Sequence, residues 1–325
     1  MSRALMLHEE TPRARVVDLS DDQLPDLPVT VAIERSGLNY KDALAITGRG
    51  KIVRELPFVP GIDFAGRVEA SDSPDYQPGD EVLLTGWGVG ERHWGGLAER
   101  MRVKPEWLVK RPANLSAEQA MAFGTAGLTA MLCVMRLEEA GLTPEQGPVI
   151  VTGATGGVGS WAVQMLAGQG FEVHAVSGKA EQREWLESLG ASEVHLRSDF
   201  EDKGRPLEKS RWAGAVDTAG GQVLANLLAQ MNYDGKVAAV GLAAGADLPT
   251  SVMPFILRGV SLLGVDSVMI NAERRQKVWQ RLADLPDEMH TQMQLETVGL
   301  EGLAERAEAM IDGRVSGRVL LDPTR

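Results

Sequence analysis

Short apolar runs punctuated by glycine, proline and aspartate dominate the first third of the chain. Val29-Thr-Val-Ala-Ile33, Gly66-Arg-Val-Glu69, Glu81-Val-Leu-Leu84 and Leu97-Ala-Glu-Arg-Met-Arg-Val103 read as strands. The turn Gln77-Pro-Gly-Asp80 precedes one of them. This predicts a compact, mostly β domain to about residue 120. From there the pattern changes: a helix over residues 127–139 leads into apolar strands alternating with amphipathic helices. Strands are expected at 149–152, 172–176, 193–196, 213–217, 236–241 and 261–266, with helices at 157–168, 181–189 and 223–231. That alternation is the signature of a doubly wound parallel sheet, an α/β fold. Amphipathic helices at 273–285 and 303–312 and a strand at 318–321 follow, and the strand is expected to return to the first domain. Residues 1–121 and 267–325 therefore form one domain and 122–266 another.

Glycine singles out one place in this pattern. Val149-Ile-Val-Thr-Gly-Ala-Thr-Gly-Gly-Val-Gly-Ser160 reads as a buried strand, a tight turn and the start of a helix. Small residues there let the turn close, let backbone approach a pyrophosphate and let the helix pack on the strand. The N–H groups at Gly157 and Val158 face the phosphates at the positive end of the helix dipole, with Thr155 and Gly156 completing the turn. A glycine turn alone reads equally as an ordinary connection; the flanking strand and helix favour a dinucleotide. In NAD enzymes an acid ends the second strand and grips the ribose hydroxyls. Here Ser177, Gly178 and Lys179 stand in that place, with no acid before Glu181. A carboxylate would repel a ribose phosphate, whereas serine and lysine bind one. Arg197, after the third strand, is positioned to close over the same phosphate. Lys179 and Arg197 also read as solvated surface cations, and the missing acid tips the reading to NADPH. Val240-Gly-Leu-Ala243 ends the fifth strand, either facing the nicotinamide or forming a plain strand-end turn.

Charge and composition remove other classes. A net charge of −12 argues against nucleic acid or an anionic membrane as partner. No run approaches the roughly 18 apolar residues of a membrane span, and the first ten residues lack a signal-peptide core. A single cysteine, Cys133, permits no intrachain disulfide and no cysteine-rich zinc lobe. A cytoplasmic protein of two domains is expected from its 325 residues.

Asn39-Tyr-Lys-Asp42 and Gly61-Ile-Asp-Phe-Ala-Gly66 occupy loops of the β domain. With them, nearly the whole chain resembles the medium-chain dehydrogenase/reductase superfamily, in which a GroES-like catalytic domain accompanies a Rossmann domain. Members with catalytic zinc carry a cysteine in the first loop and Gly-His-Glu in the second. Here residues 36–42 contain no cysteine and Gly61-Ile-Asp63 replaces Gly-His-Glu. Zinc needs several converging ligands, so the zinc-free, quinone-oxidoreductase-like branch fits and no metal is expected. Within that branch, Leu38-Asn-Tyr-Lys-Asp-Ala-Leu-Ala-Ile-Thr-Gly48, Gly124-Thr-Ala-Gly-Leu-Thr-Ala-Met-Leu-Cys-Val-Met135, Met253-Pro-Phe-Ile-Leu-Arg258, Gly264-Val-Asp-Ser-Val-Met269 and the stretch from Leu83 to Glu99 resemble the NADPH-dependent acryloyl-CoA reductases.

The resemblance implies reduction of acryloyl-CoA to propionyl-CoA, with hydride added at the β-carbon and a proton at the α-carbon. A quinone or enone reductase, or an NADPH-binding sensor without efficient turnover, are the alternatives. The resemblance also implies a homodimer, for which Ser261-Leu-Leu-Gly-Val265 is a suitable apolar edge. Tyr40 is the candidate for contact with nicotinamide or substrate and for proton donation; packing alone, with water as the acid, is the other reading. Leu242, Ile256 and Ser267 join the cofactor-binding residues. Asn39 either orients substrate or anchors its loop, Trp87 walls the substrate pocket, and Arg49 meets CoA phosphates or belongs to a solvated loop. The helix beginning Ala272-Glu-Arg-Arg-Gln-Lys277 reads as a charged exposed face.

Overall fold

The computed structural model describes residues 1–325. They form two units: Met1–Thr125 with Ser267–Leu285 and Gln294–Arg325, and Ala126–Asp266 with Pro286–Met293. In the first unit, β1 (Ser2–Leu7) pairs antiparallel with β2 (Ala14–Leu19). β3 (Val29–Leu38) is followed by helix α1 (Tyr40–Thr47), then β4 (Asp63–Ser71), β5 (Glu81–Thr85), β6 (Arg100–Val103) and β7 (Leu108–Lys110). β3 pairs antiparallel with β4 and β6, β4 with β5, and β5 with β7. Alternate residues point inward, so Val29, Val31 and Ile33 meet Phe64, Val68, Val82, Leu84, Met101 and Val103 in one core.

Helix α2 (Ala117–Glu139) carries the chain from this unit into the second and kinks at Gly124, which has φ 52° and ψ −150°. By length and composition it is apolar enough to cross a membrane, which corrects the expectation that no run reaches that length. Most of that stretch, 89%, is buried inside the protein, as in a core helix.

The second unit contains β8 (Val149–Thr152), α3 (Gly157–Gly168), β9 (Val173–Ser177), α4 (Arg183–Ser188), β10 (Ala191–Leu196), β11 (Trp212–Asp217), α5 (Gly221–Ala229), β12 (Met231–Ala239), α6 (Met253–Arg258) and β13 (Ser261–Gly264). All six strands run parallel in the order β10-β9-β8-β11-β12-β13. The order reverses between β8 and β11, the switch point at which such sheets bind ligands beyond their carboxyl ends.

The chain then gives α7 (Ala272–Ala283), α8 (Glu288–Gln292), β14 (Leu295–Val298), α9 (Leu303–Ile311) and β15 (Arg318–Leu321). β15 pairs antiparallel with β3, so the closing strand does return to the first unit, and β14 lies parallel beside it. Leu303, Ala307, Val319 and Leu321 pack there against Leu38, Ala43 and Ile46.

The expected domain boundary at 121/122 falls instead at 125/126, just past the Gly124 kink. Residues 286–293, expected in the first domain, belong to the second. Trp161 meets His290 edge-on at 5.5 Å between ring centroids, and the Trp185 indole donates to the Gln292 carbonyl at 3.0 Å.

Candidate active site

In the first unit the site is built on a buried polar network beneath the start of α1. Asn39, Asp42, Asp63 and Arg318 are all buried. The Asp42 carboxylate accepts the backbone N–H of Asn39 at 2.9 Å, Gly61 at 3.1 Å and Ile62 at 3.0 Å. Asp63 accepts from the N–H of Gly37 at 2.9 Å, the Asn39 side-chain amide at 3.0 Å and the N–H of Thr125 at 2.7 Å. Arg318 donates to Asn39 Oδ1 at 3.1 Å and to the carbonyls of Ala122 at 3.1 Å and Met121 at 3.3 Å, where α2 kinks. A Cβ at Gly37 would lie 2.6 Å from both Arg318 Nη2 and Asp63 Oδ1, and one at Gly124 would lie 2.8 Å from Arg318 Nη2 and Asp63 Oδ2. Both positions therefore require glycine.

This network decides two of the sequence expectations. Asn39, a candidate substrate contact, has its amide taken up on both sides by Asp63 and Arg318, so it anchors its loop. The two loops that would hold a catalytic zinc supply only carboxylates already filled by N–H donors, with a guanidinium close by; zinc does not fit there.

Tyr40, the first residue of α1, is 43% exposed and Lys41 pairs with Glu91 at 2.7 Å. Trp87 adopts φ 59°, a conformation that costs a non-glycine residue about 1–3 kcal/mol unless its surroundings hold it. Its N–H bonds to the Val268 carbonyl at 3.0 Å, and the Arg275 guanidinium lies 4.9 Å from its ring centroid. Arg275 itself is fully buried, donating to Thr85 O at 2.6 Å, Thr85 Oγ1 at 2.9 Å and Val268 O at 3.0 Å. The expectation of a wholly exposed charged face on α7 is thus corrected: Glu273, Gln276 and Lys277 are exposed, but Arg275 shares the inward face with Val278 and Trp279. Arg49, a candidate for CoA phosphates, has its charge taken up by Glu308 at 2.9 Å and Asp312 at 2.7 Å. Ser267 also belongs to this unit.

In the second unit the glycine turn joins β8 to α3. Gly153 has φ 60°, and a Cβ on Gly159 would stand 2.3 Å from the Gly153 carbonyl oxygen, so helix and strand meet at backbone distance. No side chain caps the N-terminus of α3 at Gly156, leaving its first N–H groups for a ligand. Thr155 Oγ1 lies 3.3 Å from Ser177 Oγ, which accepts the Lys179 N–H at 3.0 Å. A Cβ on Gly178 would be 3.3 Å from Arg197 Cζ. Thr155, Gly156, Gly157, Val158, Ser177, Gly178, Lys179 and Arg197 are thereby assembled at the carboxyl ends of β8, β9 and β10. Partial burial draws the Lys179 ammonium below the usual lysine value, while Arg197 is half exposed and pairs with Glu201 at 2.7 Å.

Sequence reasoning missed the lock at the switch point. Thr152 Oγ1 donates to the buried Asp217 at 2.7 Å and accepts the Thr218 N–H at 2.9 Å, and the Thr218 hydroxyl donates to Thr152 O at 2.9 Å. Burial raises the Asp217 carboxyl above its ordinary value. The signal available was the acid ending an otherwise apolar strand. Leu242 lies on the loop packed against Thr218 and is 61% exposed. Ile256 is exposed on α6, whose Arg258 is fixed to the carbonyls of Ala229, the last residue of α5, and Met231, the first of β12.

Burial and the neighbouring Asp63 carboxylate push Asp42 up to about 7, against the pull of its amide donors. A carboxyl raised on folding contributes stability that is fully present below about pH 4 and is lost as pH rises through about 7. Asp42→Asn deletes this titration and turns an amide group toward an N–H donor, at a cost of about 1–3 kcal/mol. Urea denaturation of the variant is therefore expected to show lower stability and a flatter profile from pH 4 to 7.5 than the parent. Parallel profiles would contradict the assignment.

Comparison with known proteins extends these features to the whole chain. Residues 26–113 match an alcohol dehydrogenase GroES-like domain and residues 157–285 a zinc-binding dehydrogenase domain. The chain is 56% identical over 322 residues to the Escherichia coli protein named "Probable acrylyl-CoA reductase AcuI", covering 98% of this chain and 99% of that one. It is 52% identical over 313 residues to acrylyl-CoA reductase AcuI of Ruegeria pomeroyi, covering 95% and 94%. The crystal structure of E. coli K-12 YHDH with bound NADPH superimposes with a TM-score of 0.95 at 56% identity, covering 98% and 99%. The chain belongs to the medium-chain dehydrogenase/reductase superfamily, in the quinone-oxidoreductase-like branch that includes the acrylyl-CoA reductases.

Proposed function

We propose that the protein is an NADPH-dependent reductase of acryloyl-CoA, producing propionyl-CoA. The observation that carries this reading is full-length kinship with two proteins named acrylyl-CoA reductase. The nucleotide unit fits the cofactor on its own evidence. The uncapped, glycine-lined end of α3 leaves N–H donors for the pyrophosphate, and Ser177, Lys179 and Arg197 gather cationic and hydroxyl groups for a ribose phosphate.

Bound NADPH supplies the hydride that adds to the β-carbon of the unsaturated thioester. The chain orients its ligands, excludes water and meets charge developing on the thioester oxygen, after which the α-carbon takes a proton. Tyr40 is assigned to contact with nicotinamide or substrate and to proton donation, water being the other source. Its place is set by the Asn39 N–H bond to Asp42, which fixes the first turn of α1. Trp87, held by Arg275, is assigned to the wall of the substrate site. Leu242, Ile256 and Ser267 remain assigned to the cofactor.

We extend the reading to a cytoplasmic homodimer. β13 ends its sheet with one neighbour only, and Val252, Ile256 and Leu257 beside it are exposed apolar residues. Light scattering is expected to give twice the 35.0 kDa chain mass; a single-chain mass would exclude the dimer.

The substrate assignment is tested by steady-state NADPH oxidation over short enoyl-CoAs beside a panel of quinones and simple enones. The expected kcat/KM for acryloyl-CoA exceeds that for any quinone by at least about tenfold. A quinone turned over as well or better makes the protein a quinone reductase, and no turnover with any acceptor leaves an NADPH-binding sensor. In the same assay Lys179→Ala is expected to raise KM for NADPH by about tenfold or more and to leave that for NADH nearly unchanged. Equal effects on both would remove Lys179 from the phosphate. Tyr40→Phe is expected to lower kcat, and undiminished turnover would assign the proton to water.

A further inference from the structure

The β9–β10 pair carries a cluster that dinucleotide binding does not use. Glu172 immediately precedes β9, His174 is its second residue, and Glu193 and His195 lie two apart on β10. Residues two apart on a strand share a face, and the strand register sets Glu193 opposite His174. That register shifts between Ala191 and Glu193, where the Ser192 hydroxyl bonds to the Val173 carbonyl at 3.0 Å. An irregularity of this kind re-aims the side chain that follows it. Here the Glu193 carboxylate comes 3.3 Å from His174 Nδ1 and 3.6 Å from His195 Nδ1. His174 Nδ1 and His195 Nε2 face each other at 2.9 Å.

One donor atom from each of His174, Glu193 and His195 lies within 4.8 Å of the other two. Ligands bonded to tetrahedral zinc at about 2.0–2.1 Å stand about 3.3 Å from one another. That is close to the 2.9 Å between His174 Nδ1 and His195 Nε2 and the 3.3 Å between Glu193 and His174 Nδ1. A turn of the Glu193 carboxylate from His195 Nδ1 toward Nε2 would complete the shell. On its far side, His174 Nε2 lies 3.2 Å from Glu172 Oε1. A carboxylate on the distal nitrogen fixes the tautomer of a ligating histidine and turns its lone pair to the ion. Packing holds the rings in place: His174 is buried, 5.2 Å from the His195 ring centroid and 5.0 Å from that of Trp212, and Arg211 covers Trp212 at 4.0 Å.

The geometry points to a divalent transition-metal site with His174 Nδ1, His195 Nε2 and the Glu193 carboxylate as ligands and Glu172 as the carboxylate that orients His174. Imidazole nitrogens select zinc, cobalt or nickel over magnesium and calcium, which take oxygen shells. Two carboxylates and two neutral imidazoles balance a doubly charged ion. Three protein ligands leave one position for water. The ion joins the edge strand β10 to β9. Ser177 is three residues beyond His174, about 10 Å at roughly 3.3 Å per residue, and Arg197 is two residues beyond His195. The site thus braces the two strands that carry the residues gathered around the ribose phosphate.

The test uses tag-free, metal-stripped full-length protein, titrated with Co²⁺ by visible absorption and with Zn²⁺ by calorimetry. One equivalent of each is expected to bind, Co²⁺ giving the intense bands of a tetrahedral site and millimolar Mg²⁺ failing to displace it. Glu193→Gln and His195→Gln are expected to weaken Zn²⁺ binding at least about tenfold, and Glu172→Gln by about 10–100-fold. Zn²⁺ should raise the thermal midpoint of the parent and not that of His195→Gln. Because the Glu172 side chain is 62% exposed and touches no ion directly, its variant keeps the test open if a ligand variant fails to fold. No stoichiometric binding of either ion overturns the site. Unchanged affinity in the variants overturns it too, since the ion would then sit elsewhere.

Discussion

The buried polar network in which the Asn39 side-chain amide bridges the Asp63 carboxylate and the Arg318 guanidinium, with Asp42 alongside, is the constraint on which the catalytic unit depends. Arg318 opens β15, Asp63 opens β4, Asn39 precedes α1, and the Ala122 and Met121 carbonyls belong to the first turns of α2. Four elements distant in sequence therefore converge on one buried polar network. Truncating Asp63 would leave the N–H groups of Gly37, Asn39 and Thr125 without their acceptor, at a typical cost of about 1–3 kcal/mol for each. The same network explains the local backbone. Side chains at Gly37 or Gly124 would strike both charged groups, and Gly124 supplies the left-handed residue at which α2 bends. Tyr40 is presented on the rim of a rigid base rather than on a free loop.

The nucleotide unit reaches comparable rigidity by other means. Charge plays little part at its switch point; hydroxyls and bare backbone do the joining. Thr152, Asp217 and Thr218 clamp the ends of β8 and β11, and Gly159 lets α3 rest on the turn. Ser177 then links the turn to the end of β9 through Thr155 and the Lys179 N–H. A dinucleotide needs such a preformed backbone surface, because phosphates are held by N–H groups whose position cannot adjust after binding. The proposed metal site would extend the stiffening to β10, an edge strand with one neighbour.

The parallel sheet, the glycine turn and the return of the last strand were legible because each follows from local periodicity or from sterics that only small residues meet. Strand ends shifted by a few residues, as with β12, which begins at Met231 where the pattern suggests residue 236. Helix α1 lies where the sequence pattern suggests a loop, although Asn39 followed three residues later by Asp42 is a helix-start signature. Arg275 was hidden by its neighbours: a run of charges reads as exposed, and its burial shows only in its spacing from Val278, Trp279 and Leu282 on one helix face. Asp63 and Arg318, joined through Asn39, lie 255 positions apart, and nothing local marks either residue. The His174–Glu193–His195 cluster escaped for the same reason, since two strands and their register are needed to bring it together. Fold was thus written in local pattern, whereas site chemistry depended on long-range pairing.

The proposed reaction is conjugate hydride transfer to an unsaturated thioester, with the β-carbon receiving the hydride and the α-carbon a solvent proton. The most direct measurement is the position of label in propionyl-CoA formed from acryloyl-CoA with NADPH deuterated at the transferable C4 position. One deuterium at the β-carbon in ordinary water, and one at the α-carbon when unlabelled NADPH is used in heavy water, is the predicted result. Label from NADPH at the α-carbon, or its loss to solvent, would contradict the mechanism.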